Sequence, residues 1–209
     1  MNRLTRLVAP AATMTFAVTA TVIAMALPAT AAPISLSAIS KYLNGMTTAE
    51  AKFTQIAGDN SVSTGTLYIK RPGRMRFEYD PPEATRVIAS AGAVKIFDPK
   101  TESTETYPLS RTPLSIILDS NVDLGRANMV TDHREQGPST VVRAQDPEHP
   151  EYGFIEMVFT DNPVELRQWV VHDDSGSQTT IALGELRTGM NLSTTLFMDD
   201  SVTDDGNGR

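Results

Sequence analysis

The sequence contains no cysteine, and this absence limits both its chemistry and its means of stabilisation. A chain without cysteine cannot form disulfides and cannot itself be acylated on a cysteine. Its stability must therefore come from a hydrophobic core. Aromatic residues are also scarce, at 6% of the chain, so few large side chains are available to fill that core.

The sequence patterns of common enzyme sites are also missing. The three histidines, His133, His149 and His172, are scattered and show no i, i+4 pairing of the kind that zinc sites use. No serine lies in a Gly-x-Ser-x-Gly elbow, no glycine-rich phosphate loop is present, and the acidic clusters lack the spacing of a calcium loop. We therefore predict no catalytic residue, no metal and no cofactor; a lipid hydrolase would need a catalytic constellation that the sequence does not show.

The N-terminus has the layout of a secretory signal peptide. Arg3 and Arg6 precede an uncharged apolar stretch that runs to Leu27 and ends at Ala29-Thr30-Ala31. We predict that residues 1–31 are a cleaved signal peptide, which would direct the chain across the inner membrane. Retention of residues 7–27 as a membrane anchor is the alternative, and the four threonines in this stretch weigh against it.

The remaining chain, of about 178 residues, has the size of one domain. We assign it to residues 32–198 and predict that the acidic, glycine-rich tail 199–209 is disordered. Without Arg3 and Arg6, 16 basic residues face 25 acidic ones, a net charge near −9. Such a chain repels phosphate backbones, so nucleic acid is not an expected partner.

Hydrophobic periodicity predicts one helix followed by a long series of strands. Apolar residues at spacings of three and four indicate a helix over 34–46, with Ser35 and Ser37 available as caps. A period of two then predicts strands at 49–56, 62–70, 74–79, 86–90, 93–97, 103–107, 127–132, 139–145, 152–160, 166–173 and 178–186. Between strands, Thr112-Pro113 opens a predicted short helix, and a weaker helical turn is predicted at 121–124.

This pattern predicts a mostly β (α+β) fold. An antiparallel sheet of so many short strands must curl or close, and its concave face must be filled or covered. Because large residues are few and two apolar helices are available, we predict an incomplete barrel of about eleven strands. The N-terminal helix and the short inserted helices form a lid over a hydrophobic cavity.

Arg71 lies at the end of the strand 62–70, in phase with the apolar residues Leu67 and Ile69. A guanidinium on an inner face costs free energy unless carbonyl or carboxylate groups accept its hydrogen bonds. It could bond the backbone of a lid helix and hold the cavity shut when empty. Alternatively, because a turn follows it, Arg71 could point into water.

The hairpin around Arg71 resembles a signature of the LolA-type outer-membrane lipoprotein carriers. The likeness covers most of the predicted mature chain, and the Lys70-Arg71-Pro72 turn is its most specific element. The segments that carry it are Leu67 to Tyr79, the exit Asp80-Pro81-Pro82, Phe53-Thr54-Gln55, Val94 to Pro99, and Leu196-Phe197, which resembles the closing strand. The sequence departs from the family pattern where Arg74 and Arg76 flank Met75 and where Phe77 replaces a common tryptophan.

The resemblance implies a periplasmic carrier, expected to be a monomer, and not an enzyme. Carriers of this type receive acylated lipoproteins from an ATP-driven inner-membrane complex and deliver them to an outer-membrane acceptor or to the membrane. It also implies that Arg71 is the lid latch. A lipid or lipoprotein sensor with the same fold, without a transport role, is the alternative function.

The resemblance and the strand phases together suggest residues for an acyl-chain cavity, although each of them could equally be ordinary core. The candidates are Phe53, Leu67, Ile69, Met75, Phe77, Tyr79, Ile88, Ile96, Ile117 and Trp169. The cations Lys70, Arg74 and Arg76 lie on the opposite phase. They form either a docking face for a membrane component or a solvated strand surface.

Overall fold

The computed structural model describes residues 32–198. The predicted signal peptide, 1–31, and the predicted disordered tail, 199–209, lie outside the described residues. The helices are α1 (Leu36–Gly45) and α2 (Leu114–Leu118), with single 3-10 turns at Leu109–Arg111, Pro150–Tyr152 and Thr194–Phe197. The strands are β1 (Thr48–Ile56), β2 (Val62–Lys70), β3 (Arg74–Tyr79), β4 (Arg86–Ser90), β5 (Ala93–Asp98), β6 (Ser103–Pro108), β7 (Val130–Gln136), β8 (Ser139–Gln145), β9 (Phe154–Thr160), β10 (Glu165–His172), β11 (Gln178–Leu183) and β12 (Arg187–Thr188).

The strands form one antiparallel sheet that does not close. Its order is β6-β5-β4-β3-β2-β1-β11-β10-β9-β8-β7, and the short β12 pairs with β1 beyond the end of β11. The sheet is strongly curved, because Phe77 on β3 and Trp169 on β10 have three strands between them, yet their ring centroids are 6.5 Å apart. In a flat sheet the same separation would be about 19 Å at ~4.8 Å per strand. The predicted incomplete barrel is confirmed.

Helix α1 lies on the concave side of the sheet. The Ser35 hydroxyl caps it by accepting a hydrogen bond from the Ala38 N–H at 3.2 Å, as the sequence predicts. The helix buries Ile39 and Leu43 completely in the core. Tyr42 reaches across to β10, where its hydroxyl accepts a hydrogen bond from the Leu166 N–H at 3.1 Å. The helix therefore packs against the interior of the half-barrel.

The two edge strands of the sheet, β6 and β7, are consecutive in sequence, and residues 109–129 join them. This crossing segment contains α2, which buries Ile116, Ile117 and Leu118. The helical turn that we predicted at 121–124 does not form: these residues are held instead by hydrogen bonds to α1, described below. Together, α1 and the crossing segment cover the concave face, and we call them the lid.

Two other predictions for single elements were wrong. Strand β7 runs from Val130 to Gln136 rather than over 127–132, because its register is set by the hairpin to β8 through Gly137, whose φ is +59°. Leu196-Phe197 does not form a closing strand. It belongs to the 3-10 turn Thr194–Phe197, which packs on the convex face against β3 and β4.

The C-terminal segment covers a second apolar cluster, on the outside of the sheet. Phe197 and Leu192 are buried there, as is Ile88 on β4. The Arg76 side chain donates to the Leu196 carbonyl at 3.0 Å, and Lys70 donates to the Leu192 carbonyl at 2.6 Å. Arg76 and Lys70, two of the three cations that could form a docking face or a solvated surface, therefore bind the chain's own C-terminal segment.

Candidate functional site

An apolar cavity of about 630 Å³ lies between the concave face of the sheet and the start of the crossing segment. Its walls come from β3 to β6 on one side and from β10 and β11 on the other. Its lining residues are Gln55, Phe77, Tyr79, Thr85, Val87, Val94, Ile96, Tyr107, Pro108, Arg111, Thr112, Pro113, Leu114, Tyr152, Trp169, Val171, Asp173, Asp174, Ser175, Thr179 and Ile181. Its volume falls within the ~300–1,000 Å³ of typical small-molecule sites.

An aromatic cluster forms one wall of the cavity. Phe53 contacts Phe77 and Tyr79 edge to face, each at a centroid distance of 5.2 Å, and Trp169 packs edge-on against Phe77. Phe53 can lie flat on β2 because Gly65 is its cross-strand partner. A Cβ at position 65 would come 2.7 Å from Phe53 Cε1 and closer still to the Glu78 carbonyl oxygen. Gly65 therefore makes room for the ring that supports this wall.

Tyr79 brings a hydroxyl group into this aromatic wall, and the hydroxyl is hydrogen-bonded. The Tyr79 hydroxyl donates to Gln55 Oε1 at 2.8 Å. Burial raises the pKa of Tyr79 to about 12. The phenol is therefore neutral at physiological pH, and the wall carries no charge at this point.

Charged and polar groups are gathered at one side of the cavity. Arg111 lies over the ring of Tyr152 at 5.9 Å, and Asp173 and Asp174 of the β10–β11 turn also line this side. The Tyr107 hydroxyl donates to Glu105 at 2.6 Å, and this bond, with the negative charges of Asp173 and Asp174 adding to it, raises the pKa of Tyr107. The cavity is therefore apolar within and polar at a rim between β6 and the β10–β11 turn.

The structure divides the ten predicted cavity residues into three groups. Phe77, Tyr79, Ile96 and Trp169 line the cavity. Phe53, Leu67, Ile69, Met75 and Ile117 are buried in the core beneath the lid and beside the cavity. Ile88 is placed wrongly, since it pairs with Arg76 and Lys95 on the convex face, under the C-terminal segment.

Two residues of the cavity wall, Val87 and Val94, were not predicted from the sequence, and the reason is physical. Strand β4 carries apolar residues in both phases, because its outer face is buried by the C-terminal segment. Val87 points inward, opposite Phe77 and Ile96, and Val94 on β5 shares this inner phase. The cross-strand phase of Ile96 could have identified Val87; nothing in the sequence indicated that Arg111 or Tyr152 would reach the cavity.

The Arg71 guanidinium bridges the two parts of the lid. It donates hydrogen bonds to the Leu43 carbonyl in α1 and to the Asp119 carbonyl just after α2, and its Nη2 lies 3.3 Å from Asn44 Oδ1. Leu43 belongs to the last turn of α1, where the helix dipole favours a cation, and its carbonyl also accepts the Met46 N–H at 3.3 Å. Arg71 therefore does not simply point into water.

Desolvation by the lid lowers the pKa of Arg71 from its ordinary value, and the nearby Asp119 carboxylate opposes this shift. An arginine remains charged under these conditions, so the cost of burial must be met by its hydrogen bonds. Its Nε is buried and has no hydrogen-bond partner among the described residues. The guanidinium is therefore incompletely satisfied in the closed lid.

Asn44 holds the crossing segment to α1 in parallel with Arg71. Its side chain accepts a hydrogen bond from the Val122 N–H and donates one to the Val122 carbonyl, both at 2.8 Å. Ser40, one turn earlier, accepts a hydrogen bond from the Leu124 N–H at 3.1 Å. The β2–β3 turn adds a further tie, from the Gly73 N–H to the Leu118 carbonyl at 2.9 Å. Hydrogen bonds thus join α1 to the crossing segment, and they join the lid to the sheet.

Residues 32–198 contain neither a metal-binding cluster nor a membrane-spanning helix. No cluster of three or more metal-ligating side chains occurs in this part of the chain. None of the helices in the same range has the length and apolar character required to cross a membrane.

The open barrel, its helical lid and its internal apolar cavity define a class of half-barrel proteins with a covered apolar interior. The family model described as outer membrane lipoprotein carrier protein LolA matches residues 44–199. The chain belongs to that family, and the resemblance drawn from its hairpin is confirmed.

Individual relatives agree with this assignment. The outer-membrane lipoprotein carrier protein of Methylococcus capsulatus is 28% identical over 171 residues, covering 77% of this chain and 81% of the relative. That of Chromobacterium violaceum is 25% identical over 177 residues, covering 81% and 84%. Among solved structures, a LolA superfamily protein from Nitrosomonas europaea aligns with a TM-score of 0.41 and 7% identity, over 80% of this chain and 99% of that one. The family assignment does not depend on this last likeness.

Proposed function

We propose that this protein is a periplasmic carrier that shelters the acyl chains of lipoproteins released from the inner membrane and delivers them to the outer membrane. The observation that carries the proposal is an apolar cavity under the start of the crossing segment, in a half-barrel whose lid Arg71 ties to the sheet. Family membership and the names of the curated relatives support the same role. On this account the protein binds and releases its cargo without changing it chemically.

Burial of acyl chains supplies ample binding free energy. Each CH₂ removed from water contributes about 0.8 kcal/mol, so a palmitoyl chain that is fully enclosed is held strongly. The cavity, at about 630 Å³, has the size of a site for one small ligand. A lipoprotein with two or three acyl chains therefore requires the lid to move outward.

Moving the lid costs free energy, and this cost allows release. Outward movement of α1 and the crossing segment breaks the bonds from Arg71 to the Leu43 and Asp119 carbonyls. Each such charge-assisted bond contributes on the order of 1.5–3 kcal/mol. The empty, closed state thus competes with the loaded, open state, and cargo can pass to an acceptor that binds it more tightly.

This role implies partners at both membranes. An ATP-driven complex of the inner membrane would load the carrier, and an outer-membrane acceptor or the membrane itself would receive the cargo. The carrier would act as a monomer, because one cavity under one lid is sufficient for a shuttle. The negative net charge keeps it from adhering to anionic surfaces and to nucleic acid.

Release of a lipoprotein from spheroplasts tests the proposal. The purified protein is added to spheroplasts that synthesise a labelled outer-membrane lipoprotein, and the soluble fraction is examined for a complex of the two. A soluble complex is the expected result. If the membranes release no lipoprotein to this protein but do release it to a known carrier, the carrier role is wrong, and a sensor of lipid becomes the better interpretation.

A further inference from the structure

Strand β6 forms one open edge of the sheet, and its backbone is available to a further strand. Among the described strands, β6 pairs only with β5, and all six of its residues are exposed. An unpaired edge presents a row of N–H and C=O groups that can hydrogen-bond an extended peptide. The direction of these groups follows from the register of the β5–β6 pair.

The outward groups of β6 belong to Thr104 and Thr106. The Leu109 N–H donates to the Gly92 carbonyl at 2.8 Å, on the side facing β5. The direction of the backbone groups alternates along a strand. The N–H and C=O groups of Tyr107 and Glu105 therefore also face β5, where these residues pair with Val94 and Ile96. The N–H and C=O of Thr104 and Thr106 therefore point away from the sheet.

The opposite edge, β7, is protected in ways that β6 is not. Strand β7 has a bulge between Val130 and Asp132 and carries three charged residues, Asp132, Arg134 and Glu135. Bulges and charges are the usual means of preventing unwanted pairing at an edge. Strand β6 has a regular register and a single charged residue, Glu105. Only β6 thus retains the features of a pairing edge.

The β6 edge is continuous with the cavity. Tyr107 and Pro108, at the end of this strand, line the cavity, and so does Arg111, which follows. No residue of β7 lines it. A chain that leaves the cavity across its polar rim therefore passes directly beside the free edge of β6.

We propose that β6 is a docking edge for the extended peptide that follows the acylated residue of a cargo lipoprotein. This inference rests on the proposed carrier function: acyl chains occupy the cavity while the adjoining backbone adds a strand beside Thr104 and Thr106. Main-chain hydrogen bonds require no particular sequence, so one edge can accept the differing peptide segments of many lipoproteins. The cavity then recognises the lipid, and the edge recognises the peptide bond.

Lipopeptides of matched composition test the proposal. The affinity of the full-length protein is measured for a palmitoylated cysteine amide and for the same lipid extended by about six residues, the length of a short strand. A third ligand carries N-methyl groups on alternate amides of the extension. We expect the extension to tighten binding about tenfold, equivalent to about 1.4 kcal/mol. Alternate amides of an extended peptide face opposite sides, so N-methylation of the set that faces β6 should remove the gain, and N-methylation of the other set should not.

Two variants of β6 provide the matched protein controls. Thr106→Pro removes an outward N–H, and because proline is tolerated where the N–H of an edge strand faces solvent, the fold is retained. Thr106→Ala keeps the N–H and removes only the side chain. Thr106→Pro should lose the gain from the peptide and keep the affinity for the palmitoylated cysteine amide, whereas Thr106→Ala should keep both.

The outcomes separate this proposal from the carrier function. Equal affinities for the extended and unextended lipids in the parent protein would overturn the docking edge and leave lipid binding intact. A parent protein that binds neither lipid would overturn the carrier function itself. Sedimentation is measured in parallel, because a dimer that Thr106→Pro dissociates would show that β6 pairs with a second copy of the chain, contrary to the proposal.

Discussion

At the scale of single residues, Arg71 joins the sheet to both parts of the lid. It donates to one backbone carbonyl in α1 and to one in the crossing segment, and its Nη2 also lies close to Asn44 Oδ1. Its loss therefore affects both parts of the lid. Its position in phase with Leu67 and Ile69 was readable from the sequence. Its partners were not, because they come from segments 28 and 48 residues away.

Substitution of Arg71 by leucine should shift the balance from the closed to the open lid. The Leu43 and Asp119 carbonyls would lose the bonds that Arg71 donates, and the closed state should weaken by about 3–6 kcal/mol, or about 1.5–3 kcal/mol for each bond. With less competition from the empty state, the variant should retain acylated cargo longer. Transfer of a labelled lipoprotein from the loaded carrier to outer-membrane vesicles measures this effect.

Arg74→Leu is the matched control for this prediction, since it removes a cation three positions away that faces the other side of β3. The control should transfer cargo at the rate of the parent protein. Equal transfer rates for Arg71→Leu and the parent would show that Arg71 does not act as a latch.

Gly65→Ala should destabilise the fold, because its added methyl group meets Phe53 and the Glu78 carbonyl. Overpacking at a site of this kind typically costs about 1–3 kcal/mol. Urea denaturation measures the loss. Gly45→Ala, where a Cβ has nothing within 4 Å, should be neutral or slightly stabilising. Similar midpoints for both variants would show that the aromatic cluster can shift without cost.

The buried phenol of Tyr79 should make stability fall at high pH. Its pKa is raised from 10.0 to about 12 in the folded protein, so the unfolded chain ionises first. The stabilisation is fully present below pH 10 and is lost as the pH rises toward about 12, by up to about 2–3 kcal/mol. Denaturation of the parent and of Tyr79→Phe across this range isolates the effect, and parallel pH profiles would contradict it.

At the scale of elements, local patterns predicted the regular strands well and failed where distant packing decides the structure. Helix α1 and the hairpin β2–β3 follow from period, cap and turn chemistry alone. The polar edge strand β7 has no clear alternation, so its register depends on the β8 hairpin. The 3-10 turn Thr194–Phe197 is fixed by contacts with β3 and β4 that no local signal encodes.

Packing of that C-terminal turn on the convex face should contribute stability but not ligand binding. Phe197 is 1% exposed and lies on the opposite side of the sheet from the cavity. Phe197→Ala should lower the free energy of unfolding by about 3–5 kcal/mol, and the folded variant should bind a palmitoylated cysteine amide as the parent does. Met198→Ala, at a position 60% exposed, serves as the control and should change neither quantity. Weakened lipid binding by folded Phe197→Ala would mean that the two faces are coupled.

At the scale of the whole molecule, the topology explains why this fold can open. The two edges of the sheet are consecutive strands, so the crossing segment between them lies over the concave face without joining the sheet. It is held there by its buried apolar residues and by polar bonds to α1, to Arg71 and to the β2–β3 turn. A closed barrel would have neither an edge nor such a segment. The overall half-barrel was predictable from the strand count; the division of apolar residues between cavity, core and convex cluster was not, because it depends on which segments fold back over each face.

A distance measurement across the lid tests directly whether acyl chains bind beneath a lid that opens. Since the chain has no cysteine, Ser120→Cys on the crossing segment and Lys52→Cys on the convex face can each carry a unique spin label. We expect a palmitoylated cysteinyl peptide to lengthen the distance between the labels, and we expect Arg71→Leu to populate the longer distance already without ligand. An unchanged distance distribution, with binding established by the fluorescence of Trp169, would show that acyl chains do not enter beneath a lid that opens.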